Sequence, residues 1–278
     1  MSEWNFQDRV HVSFAANGVA EVALARPDKM NALDTAMFDA LLQAGTLLAG
    51  LHDLRAVVLH GQGRAFCAGL DMGNFAKMAQ GDALSSLADL VPRTHGLANH
   101  AQQVAWQWRE LPVPVVAALQ GVAFGGGLQV ALGADMRYAA PDTRVSVLEI
   151  QWGLVPDMAG MALLRELVRA DVARELVYSG RILQADEACQ LGLITAVHVD
   201  PLAQARAFAA QVAARNPDAV RADKRLLNAC TDADEAALLL AESVAQQAIL
   251  DSPNQREAVR AHQERRAPVF HPAKAPAV

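Results

Sequence analysis

The chain has 278 residues, 53% of them hydrophobic and 19% charged, with a formal net charge of −6 at pH 7. That is enough apolar material for one large domain with a C-terminal appendage, and the acidic balance offers no basic stripe for nucleic acid. No apolar run approaches the roughly 18 residues of a membrane span and residues 1–10 lack a basic-then-apolar leader, so a cytoplasmic protein with no membrane partner is expected.

Val10, Val12 and Phe14 share one face of an extended segment, as do Ala20, Val22 and Leu24, and Asn17-Gly18 between them predicts a hairpin of the two-residue type. Arg26-Pro27 ends the second strand. Asp34 is placed to cap a helix whose apolar positions Met37, Leu41, Ala44 and Leu48 recur every three to four residues. A buried strand follows at residues 56–60, then Gly61-Gln62-Gly63-Arg64 and the apolar run that ends at Asp71. From 72 to 110 the pattern weakens, with helical segments expected at 84–91 and 97–108.

Residues 113–119 form a valine-rich, wholly apolar run bounded by Pro112 and Gln120-Gly121, the pattern of a strand buried on both faces. Gly125-Gly126-Gly127 comes next, and residues 128–132 read as a buried helix. Glycines at such a junction permit positive φ and a close approach, and a helix start offers unpaired N–H groups and a positive dipole end. This is a place to hold an oxygen that acquires negative charge, although an ordinary tight turn has the same composition. The run is neither the G-x-G-x-x-G fingerprint nor a phosphate loop with Gly-Lys-Ser/Thr. A second strand-then-glycine junction at 56–63 would let two backbone donors meet.

Further strands are expected at 136–139 and 145–148, then one amphipathic helix through Leu163, Leu167, Val168, Val172 and Leu176. A short helix at 185–191, ended by Gly192, and a strand at 193–197 complete an α/β core without internal repeats. From Asp200-Pro201 onward only helices are expected: one with Leu202, Ala205, Phe208 and Val212 inward, others at 220–227 and 235–249, and a last one opened by the capping box Ser252-Pro253-Asn254-Gln255. Residues 267–278 read as a frayed tail. The division is a core at 1–199 and a helical region at 200–278. Cys67, Cys189 and Cys230 fit neither a disulfide framework nor a zinc site and read as reduced thiols.

Four motifs occur in order: Arg26-Pro27-Asp28-Lys29-Met30-Asn31-Ala32-Leu33, Arg64-Ala65-Phe66-Cys67-Ala68-Gly69-Leu70-Asp71, Gly121-Val122-Ala123-Phe124-Gly125-Gly126-Gly127, and Leu148-Glu149-Ile150 with Gly153-Leu154-Val155-Pro156. In these the chain resembles the crotonase, or enoyl-CoA hydratase/isomerase, superfamily, from about residue 10 to residue 270. The resemblance implies an α/β fold with a crotonase-like (ββα) spiral core and a C-terminal helical region that trimerises. It implies an acyl-CoA thioester substrate in a homotrimer or dimer of trimers, with coenzyme A arriving as part of the substrate and no permanently bound cofactor or metal. The backbone N–H groups of Leu70 and Gly126 would stabilise the enolate oxygen, each such donor being worth roughly 3–4 kcal/mol. Coenzyme A recognition falls to Arg26, Lys29, Ala68, Asp71, Arg265 and Arg266, the last two also readable as solvated charge.

Proton transfer is where the sequence departs from the hydratases it resembles. They carry two glutamates; Glu149 matches one and Gln129 stands where the other would be. Glutamine cannot exchange a proton near neutral pH, and losing a positioned acid–base group costs roughly 10²- to 10⁴-fold in a rate that needs it. The family's enoyl-CoA isomerases keep an acid only at the Glu149 position. Its dienoyl-CoA isomerases add an aspartate that Asp157 matches, with an acid at the Gln129 position as well. The expectation is double-bond isomerisation with Glu149 as base and Asp157 as second acid or polar orienter. The alternatives are a hydratase in which Gln129 positions water, and a non-catalytic acyl-CoA-binding homologue. Trp106 and Trp108 are candidates for the floor of an acyl pocket or for plain helix packing.

Overall fold

The computed structural model describes residues 1–80 and 89–273. A seven-stranded sheet carries the order β1-β2-β3-β4-β5-β7-β10, and β6 (Val122–Phe124), β8 (Arg144–Ser146) and β9 (Leu183–Gln184) form a small second sheet. The first three strands, β1 (Ser2–Phe6), β2 (Val10–Phe14) and β3 (Val19–Leu24), are antiparallel. From β3 onward β4 (Ala56–Gly61), β5 (Val115–Leu119), β7 (Met136–Ala139) and β10 (Ala196–Val197) run parallel.

Parallel strands need long crossovers, and helices supply most of them. These are α1 (Thr35–Ala49), α2 (Met72–Ala79), α3 (His100–Glu110), α4 (Gly126–Leu132), α5 (Gly160–Leu167), α6 (Ala170–Ser179) and α7 (Ala185–Leu191). Asp34 caps α1 by accepting from the Met37 N–H, and Met37, Leu41, Ala44 and Leu48 are all buried. One face of β4 and β5 joins these helices in the main core. The other face, with Ala56, Val58, Val116 and Ala118, forms a second cluster with Ala205 and Ala209 of α8 (Pro201–Ala213), which lies across β4, β5 and β7. Coverage on both faces is why these strands read as continuous apolar runs.

Three further helices, α9 (Pro217–Ala229), α10 (Glu235–Ile249) and α11 (Pro253–Gln263), complete the C-terminal region. Lys224 of α9 is buried, and its ammonium donates to the carbonyls of Trp108 and Val113 and to the Asp135 carboxylate, all at 2.8–2.9 Å. Among the described residues no helix is long and apolar enough to cross a membrane.

Several expectations are corrected. The hairpin loop spans four residues, closed by bonds from Ala15 N–H to Val19 O and Gly18 N–H to Ala15 O, with the Asn17 side chain accepting from Val19 N–H. The single helix expected over Leu163 to Leu176 is two, because Val168 leaves helical backbone (φ −133°, ψ 157°) and Asp171 sits in the first turn of a new helix, where a carboxylate is favoured. The expected helix at 84–91 falls largely outside the described residues, and 89–91 are not helical. Part of the tail is tied down: Val269 N–H donates to Glu257, His271 N–H to Asn254, and Arg55 reaches the carbonyls of Phe270 and His271. Residues 274–278 lie outside the described residues.

Candidate active site

Three chain segments are drawn together by backbone pairing. The stretch after β4 lies along the short strand β6 (Val122–Phe124), with Cys67 N–H donating to Val122 O and Phe124 N–H to Cys67 O. On its other side Leu33 N–H donates to Gly69 O and Asp71 N–H to Leu33 O. Asn31, buried and at φ 55°, clamps the loop by donating to the carbonyls of Gln62, Ala65 and Phe66. Gly69 has φ 91°, and a Cβ there would stand 2.7 Å from Phe124 O, so glycine alone fits.

The result sets Leu70 and Gly126 on the wall of one cavity of about 360 Å³. Gly126 is the first residue of α4, where N–H groups have no partner within the helix. Among the hydrogen bonds of the described residues, neither the Leu70 nor the Gly126 N–H is used as a donor. Two free backbone donors on one wall can receive a developing oxyanion.

Glu149 opens a short 3-10 turn (Glu149–Trp152) after β8 (Arg144–Ser146) and is only 8% exposed. Gln129, one turn into α4, donates from Nε2 to Glu149 Oε1 at 2.5 Å. The other carboxylate oxygen, Oε2, is buried without a partner. Burial pushes the Glu149 carboxyl up from its ordinary range, the charge of Asp157 adds to that, and the bond from Gln129 and the nearby backbone dipoles of Glu149 and Leu148 oppose it. Asp157 lines the same cavity, and burial raises its carboxyl too. Gly125 turns the chain at φ 50°, where a Cβ would approach Glu149 Oε1 to 3.2 Å.

The remaining lining is chiefly apolar. Phe75 of α2 stacks on Trp152, with ring centroids 4.1 Å apart and planes at 21°. The two tryptophans considered from sequence are elsewhere. Trp108 is fully buried in the core, and Trp106 donates to Glu110 beneath the Arg109 guanidinium. Phe75, Trp152 and Met158 went unassigned in sequence, because their role comes from α2 and the Glu149 turn meeting across the cavity. Cys67 donates to Asn31 O, and burial pushes its thiol up to about 12, so it is no nucleophile.

Ala68 lines the cavity, and Asp71 caps α2. Arg26 pairs with Asp71 at 2.6 Å and donates to Ala32 O, whereas Lys29 is exposed at the end of the short turn Pro27–Lys29 that follows Arg26. Arg265 is exposed, and Arg266 is bound by Glu257 and Glu264; neither touches the cavity of its own chain.

Residues 15–273 match the model of the enoyl-CoA hydratase/isomerase family. The chain is 32% identical over 255 residues to YngF of Bacillus subtilis (strain 168), covering 91% of this chain and 94% of that one. It is 30% identical over 266 residues to the enoyl-CoA isomerase/hydratase fer4 of Mycosarcoma maydis, with 91% and 92% covered. A crystal structure from Mycobacterium abscessus superposes with a TM-score of 0.86 at 32% identity, covering 95% of this chain and all of that one.

Proposed function

Because the chain belongs to the enoyl-CoA hydratase/isomerase, or crotonase, family, whose members act on acyl-CoA substrates, we propose that it migrates a double bond in an enoyl-CoA or dienoyl-CoA with Glu149 as the base. The observation that carries this reading is one buried carboxylate oxygen, Glu149 Oε2, without a partner in a cavity that also holds two unused backbone donors. Oε2 takes a proton from one carbon of the acyl chain, and the electron pair moves onto the thioester oxygen, held by the N–H groups of Leu70 and Gly126. The carboxylic acid so formed returns the same proton to a different carbon, and the double bond is left displaced. One shuttling group closes this cycle.

Water addition by two proton-transfer groups would call on a second proton acceptor at residue 129. The Gln129 carbonyl already accepts from Met158 N–H at 2.8 Å and Gly160 N–H at 2.9 Å, which fills both lone pairs. Asp157, on the wall of the same cavity, serves as a second acid or polar orienter. In the same reading coenzyme A is gripped by Lys29 and the Ala68 backbone, while the Arg26–Asp71 pair orders that loop. In a homotrimer or dimer of trimers the exposed Arg265 is free to reach a neighbouring copy's coenzyme A, whereas Arg266 would first have to leave Glu257 and Glu264.

The test is a parallel assay on 2-enoyl-, 3-enoyl- and 3,5-dienoyl-CoA, following migration and hydration separately. Migration should exceed hydration, and Glu149→Gln should lower it by roughly 10²- to 10⁴-fold. Fast hydration with little migration would refute the isomerase reading, and tight binding without turnover would favour a non-catalytic acyl-CoA-binding homologue.

A further inference from the structure

Gln129 does more than stand in the place of an acid. Its side chain is 2% exposed, and three hydrogen bonds engage it. Met158 and Gly160 flank Ala159, whose left-handed backbone (φ 65°) turns their two N–H groups toward one point. Successive N–H groups around a left-handed residue make a nest for an oxygen. Gln129 Oε1 occupies it, and since both neighbours there are donors, the amide can only present its NH₂ to Glu149. A Cβ at Gly160 would lie 2.6 Å from that oxygen, so the nest also requires its glycine.

We propose that Gln129 is a positioning residue: the nest of Met158 and Gly160 locks its amide, which holds Glu149 by one carboxylate oxygen and leaves the other to transfer protons. The proposal rests on Glu149 being the base. It predicts that restoring an acid at residue 129 harms the enzyme. In Gln129→Glu the nest keeps one oxygen of the new carboxylate ionised, and its other oxygen meets Glu149 Oε1 at hydrogen-bond distance. Two carboxylates so placed share a proton, and the one outside the nest keeps it. Asp157, the charged neighbour across the cavity, adds to that bias. Gln129→Met keeps the shape but removes the donor to Glu149, which also favours the protonated base.

The experiment combines difference infrared titration of Glu149, as variant spectra minus the same variant carrying Glu149→Gln, with pH profiles of turnover. In both Gln129→Met and Gln129→Glu the Glu149 carboxyl should titrate at higher pH than in the wild type. The acid limb of kcat/KM should follow it, with turnover near neutral pH falling roughly 10²-fold. A purely structural role would lower Tm and leave the titration where it was. Unchanged titration in the folded variants, or faster hydration in Gln129→Glu with the acid limb in place, overturns the proposal. If the wild type moves no double bond, the function assigned above fails, and the infrared titration still decides whether Gln129 holds Glu149.

Discussion

An ionisable side chain buried with one oxygen unpartnered costs the folded state, and Glu149 is such a group. Its carboxyl is raised on folding, so the native state binds more protons than the unfolded chain wherever pH lies between the two values. Stability from this group is therefore full below the unfolded glutamate range, about pH 4.3, and falls as pH rises through the folded value. Glu149→Gln should accordingly stabilise the fold near neutral pH, by on the order of 1 kcal/mol, which shows as a raised Tm, and the gain should shrink as the solution is made acidic. Thermal melts of both proteins across that range check it; a gain that grows toward acid would contradict the sign. The positions of Glu149, Leu70 and Gly126 were legible from ordered motifs. The grip on Gln129 was not, because its partners Met158 and Gly160 are 29 and 31 residues away and use backbone N–H groups, which no side-chain pattern announces.

At the scale of elements, capping and periodicity were readable wherever the cause is local. Asp34, Asp200 and Ser252 each accept from a first-turn N–H, as their positions implied. Readings failed where the cause is tertiary. The break at Val168, buried against the core, is one case, and the cavity wall made by α2 and the Glu149 turn is another. That wall bears on acyl selection, since the Phe75–Trp152 stack borders the space beside Glu149 and is made of side chains alone. Trp152→Ala opens it. The expected outcome is a shift of about tenfold in kcat/KM toward longer acyl chains relative to short ones, the scale that extra apolar fit in a pocket provides. Equal effects on a short-chain and a long-chain substrate would show that the stack does not limit chain length.

For the molecule as a whole, the C-terminal helices face two ways. Ala245 of α10 is buried, whereas Leu239, Leu240 and Val244 of the same helix are each more than 60% exposed, large apolar side chains that an assembly would cover. If copies associate through this face, sedimentation equilibrium should give a trimer or a multiple of it, and Leu240→Glu should lower the mass at micromolar concentration. A monomeric wild type would refute the assembly. Beyond residue 200 the described residues form helices and no strand, the change at which the sequence reading divides the chain. What it did not disclose is how firmly the two parts are joined: a buried Lys224 ties α9 to the end of α3, and α8 covers a face of the central sheet.

That covering helix has a consequence in time. The apolar face made by Ala56, Val58, Val116 and Ala118 is complete once β5 has left the ribosome, yet the segment that shields it, 201–213, is translated much later. In that interval residues 201–213 are not there to cover these side chains, and apolar surface left exposed during folding attracts other chains. The order of synthesis thus leaves that face open until the last third of the chain emerges.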